Sequence, residues 1–262
     1  MSALAPLPLA VLQTATHWHN PQRNHELFEQ LLDQVPQGTA LAVLPEMFST
    51  GFTMSSQQVA EDMAGPTVQW LCQQADQRQL VICGSVVIQD GQQFFNRLLW
   101  ATPDGGLSWY DKRHCFRMAG EHEHYSAGQQ RVVVELAGWR ICLSVCYDLR
   151  FPVWLRNCND YDVLLCVANW PAARRDAWMT LLKARAIENQ AYCVGVNIVG
   201  TDGNDVQYSG GSAIYTPDGA TLAQYLDEPA IGLAELDPKR LQDLRQQFPV
   251  WQDADAFELK IS

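Results

Sequence analysis

A layered α/β fold is predicted by two features of this sequence. Apolar runs of strand length alternate with helix-like segments along the chain, and two of the runs, "LAVL" and "VLLCVA", are apolar without a break. An unbroken apolar strand is buried on both faces, as in a sheet covered by a layer on each side. Hydrophobic residues make up 47% of the 262 residues and charged residues 18%, which suits a large core and excludes a disordered chain.

The elements follow in order. A first strand is expected at 8–14, a helix at 22–35, a strand at 40–44 and a helix at 66–79. Strands are expected next at 80–88, 94–101, 107–110, 131–135 and 139–145. A short helix is expected at 152–158 because Pro152 suits a first helical turn. After a strand at 162–168, a helix is expected at 174–190, with Asp176 favouring its dipole and Trp178, Leu181 and Leu182 on one face. Strands at 192–198, 211–215, 221–226 and 230–236 and a helix at 238–246 complete the pattern. Pro217, Asp218 and Gly219 in "SGGSAIYTPDGA" read as a β-turn between two strands rather than a phosphate cradle. No Gly/Ser-rich linker or repeat interrupts the chain, so residues 1–262 are expected to form one domain.

The net charge of −11 argues against a nucleic-acid-binding surface, which needs clustered Lys and Arg. No run approaches the roughly 18 apolar residues of a membrane helix. The start, "MSALAPLPLAVLQTATHWH", has no basic residue ahead of its apolar stretch and reads as a strand rather than a secretory signal. Eight cysteines sit mostly inside apolar runs with no CxxC pair, which suits reduced thiols in a cytoplasmic protein.

Three reactive side chains stand just past expected strands: Glu46 after "ALAVLP", Lys112 after "LSWYD" and Cys146 after "WRICLSV". In layered α/β folds, sites assemble at the carboxyl ends of strands. Singly, a Glu or Lys there is usually a solvated loop charge, and a Cys in an apolar run is usually core. Together they make an acyl-transfer set. A thiol is nucleophilic as thiolate and needs a base or a positive field. Glu46 can take the Cys146 proton and return it to the leaving amine. Lys112 can stabilise the oxyanion, helped by the backbone N–H of Tyr147. His122 and His124 in "EHEH" form an HxH pair, but no third ligand has suggestive spacing, and no metal site is expected.

Glu46 in "LPEMF", Lys112 in "YDKRHCF" and Cys146 in "SVCYDLRFP" resemble, in order and over essentially the whole chain, the Glu-Lys-Cys triad of the nitrilase superfamily of carbon–nitrogen hydrolases. The resemblance implies a four-layer αββα sandwich that dimerises, and a cysteine thioester mechanism with no metal or cofactor. It also implies a supporting glutamate after the lysine; Glu121 in "RMAGEHEHYSAG" matches best and Glu123 less well. Glu188 in "ARAIENQAY" falls on the family's core helix and is assigned a structural role.

"CYDLRFP" is similar to the omega-amidase branch, rather than to the Trp-Glu of nitrile-cleaving relatives or the "DRR" of N-carbamoyl hydrolases. "DKRHCFRMAGEHEHY", "NDYDVLLCVANWPAARRDAW" and "FPVWQDADAF" strengthen that likeness to the bacterial omega-amidases. What it implies is hydrolysis of 2-oxoglutaramate or 2-oxosuccinamate to the 2-oxo dicarboxylate and ammonia, and a link to methionine salvage. The far carboxylate of such a substrate needs a cation, for which Arg117, Arg174 and Arg175 are the candidates. Phe116 and Trp170 either line the pocket or pack in the core, and Arg150 is expected to pair with Asp148 or another acid and hold the turn. A deaminated-glutathione amidase, an N-carbamoyl amine hydrolase and a catalytically silent binding member stay open as alternatives.

Overall fold

The computed structural model describes residues 4–260. The chain runs through β1 (Leu7–Gln13), α1 (Pro21–Leu32), β2 (Leu41–Val43), α2 (Ser56–Val59), α3 (Pro66–Arg78), β3 (Val81–Asp90), β4 (Gln93–Ala101) and β5 (Leu107–Asp111). It continues through α4 (Glu121–His124), β6 (Val133–Leu136), β7 (Trp139–Val145), β8 (Val163–Val167), α5 (Arg175–Asn189) and β9 (Tyr192–Val196). The last elements are β10 (Val199–Thr201), β11 (Gln207–Ser209), β12 (Ser212–Tyr215), β13 (Thr221–Tyr225), β14 (Ala230–Leu236) and α6 (Pro238–Gln247). Helix starts follow local chemistry: Asn20 accepts from the Arg23 N–H ahead of Pro21, and Asp237 accepts from the Lys239 N–H ahead of Pro238.

Two six-stranded sheets carry the fold, in the orders β14-β1-β2-β3-β4-β5 and β13-β12-β9-β8-β7-β6. Each has a parallel centre, β1-β2-β3 in one and β7-β8-β9 in the other, with antiparallel strands outside. Leu9, Val11, Val43 and Trp100 of the first sheet share one buried cluster with Ile141, Leu143, Val145 and Leu165 of the second, so the sheets pack against each other. On the other face of the first sheet, Leu44 and Ile82 meet Phe28 of α1 and Val68 and Leu71 of α3. The second sheet is covered by α5, whose Trp178, Leu182 and Ala186 repeat every four residues toward the core. The result is the αββα layering. Gln13 links the sheets: its Oε1 accepts from Ser212 N–H at 3.0 Å and its Nε2 donates to Glu228 O at 2.8 Å. Among the described residues, no helix is long and apolar enough to cross a membrane.

Two expectations are corrected. The helix expected at 152–158 is absent; the chain makes a 3-10 turn at Cys146–Arg150 and then irregular turns. A distant partner takes a backbone group a helix would have used, since the Asn157 N–H donates to Asn189 Oδ1 at 2.9 Å, and locally the Asn157 side chain accepts from the Asp160 N–H at 3.0 Å. The second correction is an addition. β10 and β11 pair as a separate hairpin where no strand was expected, because "VGTDGNDVQYS" has too little apolar alternation to signal one.

Candidate active site

Glu46, Lys112 and Cys146 all emerge just past strand ends, from β2, β5 and β7. The fold brings them together from both sheets. Lys112 is 1% exposed, and its Nζ donates to Glu46 Oε1 at 2.9 Å and to both carboxylate oxygens of Glu121 at 2.9 Å. Its backbone is clamped on both sides: the Lys112 N–H donates to Asn96 O and the Gly128 N–H donates to Lys112 O, each at 2.9 Å. Gly128 is required there, since a Cβ would meet the Asp111 carbonyl oxygen at 2.0 Å.

The two carboxylates are held by further donors. Asn96 Nδ2 reaches Glu46 Oε1 at 2.7 Å and Glu121 Oε1 at 3.4 Å. The Phe116 N–H donates to Glu121 Oε2 at 2.5 Å, and the Asn169 N–H to Glu46 Oε2 at 2.7 Å. Burial raises the Glu121 carboxyl above the usual range, against the pull of Lys112. Burial by itself would lower Lys112, but the facing Glu121 and Glu46 carboxylates hold it well above the ordinary lysine range, so it stays an ammonium. Burial, then the nearby Glu46 carboxylate, pushes the Cys146 thiol well up, while Lys112 pulls it back. Burial and Glu46 thus favour the protonated thiol, the form from which a nucleophilic role would need a base.

The backbone at Cys146 is strained. Cys146 has φ +47°, and Met47, directly after Glu46, has φ +43°. For a non-glycine residue this left-handed region costs about 1–3 kcal/mol and persists only where the surroundings enforce it. Here the enforcing group is Asp148, which is fully buried. It accepts from the Val145 N–H at 3.0 Å, the Tyr110 hydroxyl at 2.8 Å, the His114 N–H at 2.9 Å and His114 Nδ1–H at 2.8 Å. The Cys146 turn is thereby fastened to the segment that carries Lys112.

Cys146 and Lys112 open into a cavity of about 420 Å³, at the small end of ligand sites. Of the residues expected near substrate, Phe116, Tyr147, Trp170 and Arg174 line it. Arg117 and Arg175 do not. Arg117 is exposed and faces a neighbouring surface cleft, and Arg175 pairs with Asp227 at 2.6 Å on the outside. Arg150 is also corrected: it makes no pair with Asp148, lines the cavity, and stacks its guanidinium 4.9 Å from the Trp170 ring. Arg174 stacks in the same way 5.2 Å from Phe116. Glu188 pairs with Arg185 at 2.8 Å on α5. Glu123 is exposed, outside the buried set.

Sequence reasoning missed several groups of the site. Asn96 and Asn169 carry no motif, and their roles come from contacts across the fold. Asp202 and Tyr208 come from the β10–β11 hairpin, where Asp202 Oδ2 accepts from the Tyr208 hydroxyl at 2.9 Å. Phe52 supplies a ring 5.2 Å from Lys112 Nζ. The one available signal was "ANW", a polar residue just past the apolar run "VLLCV".

Comparison with known proteins places these features in context. The carbon-nitrogen hydrolase family model matches residues 8–246. The omega-amidase YafV of Escherichia coli K12 is 47% identical over 97% of this chain and 98% of its own. The 2-oxoglutaramate amidase of Bacillus subtilis is 32% identical over 94% of this chain and 96% of its own. XC1258 of Xanthomonas campestris, a CN-hydrolase superfamily protein with an arsenic adduct in its active site, superposes with a TM-score of 0.96 at 43% identity. That alignment spans 98% of this chain and all of XC1258.

Proposed function

Because the chain belongs to the carbon–nitrogen hydrolase family, we propose that it is an omega-amidase cleaving the terminal amide of a short 2-oxo acid, 2-oxoglutaramate or 2-oxosuccinamate. The observation that carries the substrate class is the pair of guanidinium groups in the nucleophile's cavity. Among the described residues, neither Arg150 nor Arg174 has a carboxylate partner. Each is held by an aromatic face, which leaves its N–H fork free for the far carboxylate of the substrate.

The reaction divides into two halves. The Cys146 sulfur attacks the amide carbonyl carbon as its proton passes to Glu46. The transfer stays inside the buried set, so no net charge enters or leaves a low-dielectric site. The carbonyl oxygen becomes an oxyanion beside the Lys112 ammonium and the Tyr147 N–H. Glu46 returns the proton to the nitrogen as the C–N bond breaks, giving ammonia and a thioester. Water, deprotonated by Glu46, then attacks the thioester; the C–S bond breaks, the 2-oxo dicarboxylate departs and Cys146 regains its proton. Glu121 holds Lys112 in place. Met54 and Phe52 narrow the cavity and favour a short acyl chain over a peptide.

We further place the protein in the cytoplasm as a homodimer. All eight cysteines are free thiols, which suits a reducing compartment. Exposed Phe248, Trp251 and Phe257 near the end of the chain suit a covered surface. Purified protein incubated with 2-oxoglutaramate is expected to release ammonia, and Cys146→Ala to abolish the release. Ammonia release that survives the substitution defeats the mechanism. Faster turnover of deaminated glutathione or an N-carbamoyl amine reassigns the substrate.

A further inference from the structure

Asn169 stands two residues beyond β8 and is 3% exposed. Its orientation is over-determined. The backbone N–H donates to Glu46 Oε2 at 2.7 Å and Nδ2 donates to Glu46 O at 2.8 Å. The next residue is pinned by Asn197, whose Oδ1 accepts from the Trp170 N–H at 2.7 Å and whose Nδ2 donates to Trp170 O at 3.0 Å. Turning the Asn169 amide over would set its oxygen against the Glu46 carbonyl, acceptor facing acceptor. The nitrogen therefore faces Glu46, and Oδ1 is buried with no hydrogen-bond partner among the described residues. An orphaned buried acceptor is unfavourable and rare in a native protein.

Asn169 lines the same cavity as Cys146 and Lys112. The other groups assigned to substrate there are cations and N–H donors, which answer a carboxylate or a carbonyl oxygen. The carboxylates nearby are already engaged: Glu46 and Glu121 by Lys112, and Asp202 by Tyr208 and the backbone of Asn204 and Val206. A primary amide differs from an ester in offering N–H donors. Asn96 Oδ1 is likewise unpaired, but Asn96 does not line the cavity, so among the described lining residues Asn169 Oδ1 is the buried uncommitted side-chain acceptor.

We propose that Asn169 is a specificity-determining residue whose Oδ1 accepts an N–H of the scissile carboxamide, selecting amides over esters of the same acid. The inference rests on the amide-hydrolase reading above and adds the group that recognises the leaving nitrogen. A site built to bond an N–H discriminates against the analogue lacking it, because the acceptor is otherwise left unpaired.

The test compares kcat/KM for two matched pairs, 2-oxoglutaramate with the 5-methyl ester of 2-oxoglutarate, and butanamide with methyl butanoate. Asn169→Ala is expected to lower the amide-to-ester ratio by about tenfold or more. Equal losses on both substrates, with the ratio unchanged, would show that Asn169 only supports Glu46 and would overturn the proposal. Asn169→Asp, protonated, can donate to the Glu46 carbonyl and keep its second oxygen as acceptor, so it is expected to retain the ratio; its collapse also counts against the proposal. A measurement that needs no Asn169 variant is calorimetric binding to Cys146→Ala. The amide of each pair should bind about tenfold tighter than its ester, and equal affinities refute the assignment. Failure of the 2-oxo pair alone, with the butanoyl pair behaving as expected, would count against the substrate proposed above and leave Asn169 supported. Absence of amide turnover and amide binding in both pairs overturns both.

Discussion

Substituting Lys112 by methionine keeps much of the side-chain volume and deletes its charge. The ammonium lies 2.9 Å from one oxygen of Glu46 and 2.9 Å from both oxygens of Glu121, and all three side chains are at most 1% exposed. Without it, two carboxylates bridged by Asn96 Nδ2 face each other in a buried site. Breaking a buried pair by removing one partner costs about 3–5 kcal/mol, chiefly through the charge left behind. With about 2–4 °C of melting temperature per kcal/mol for a chain of this size, Lys112→Met should melt roughly 6–20 °C lower. Losing an oxyanion donor should lower kcat by about 100- to 1,000-fold. The two effects separate in the double variant Lys112→Met/Glu121→Gln. Neutralising Glu121 removes the repulsion, so thermal stability should recover substantially while ammonia release stays low. The assays are thermal melting by circular dichroism and ammonia release coupled to glutamate dehydrogenase. A double variant no more stable than the single one, or a single variant with more than about a tenth of wild-type kcat, refutes the reasoning.

Other consequences follow from the same geometry. The folded-state value of Lys112 is raised above its ordinary 10.5, so its contribution to stability is complete below that pH and lost as pH rises through the folded value. The stability gap between wild type and Lys112→Met should therefore hold from neutral pH to about 10.5 and narrow above it in urea titrations. Arg150→Leu or Arg174→Leu should raise KM for 2-oxoglutaramate by about 10- to 100-fold, the value of a hydrogen bond to a charged group, and leave KM for butanamide little changed. A parallel rise for both substrates would remove the carboxylate role. Gly128→Ala drives a methyl group against the Asp111 carbonyl beside Lys112, so melting should show a loss of about 1–3 kcal/mol together with reduced kcat. Asp148→Asn leaves one acceptor where four donors converge, so alkylation of Cys146 by a small thiol reagent should become slower or less selective among the eight cysteines.

Much of the frame is legible in local sequence because it depends on local periodicity. The unbroken apolar runs of β2 and β8 report burial on both faces; of the face expected on α5, Trp178 and Leu182 are buried and Leu181 partly so. The same patterns cannot show where a backbone group finds its partner. Pro152 is compatible with a helix start, but the Asn157 N–H is taken by Asn189, 32 residues on, and the Leu155 and Arg156 carbonyls accept from Tyr161 and Arg131. Arg150 sits beside an acid in sequence, yet Asp148 is saturated by Val145, Tyr110 and His114, so the guanidinium goes to the cavity instead.

By itself, then, the sequence determined the layered α/β class and the placement of Glu46, Lys112 and Cys146 just past strand ends, since each depends on residues only a few positions apart. The resemblance of the motifs added the αββα arrangement and the family. Tertiary structure alone decided which arginines line the cavity at Cys146, how Asp148 holds Cys146 in a left-handed turn, and that Asn169 meets Glu46 from 123 residues away. The physical reason is the range of the interactions. Strand and helix faces follow from the repeat of the backbone, whereas pairing a buried charge or orphaning an acceptor depends on which distant elements the two packed sheets bring into contact.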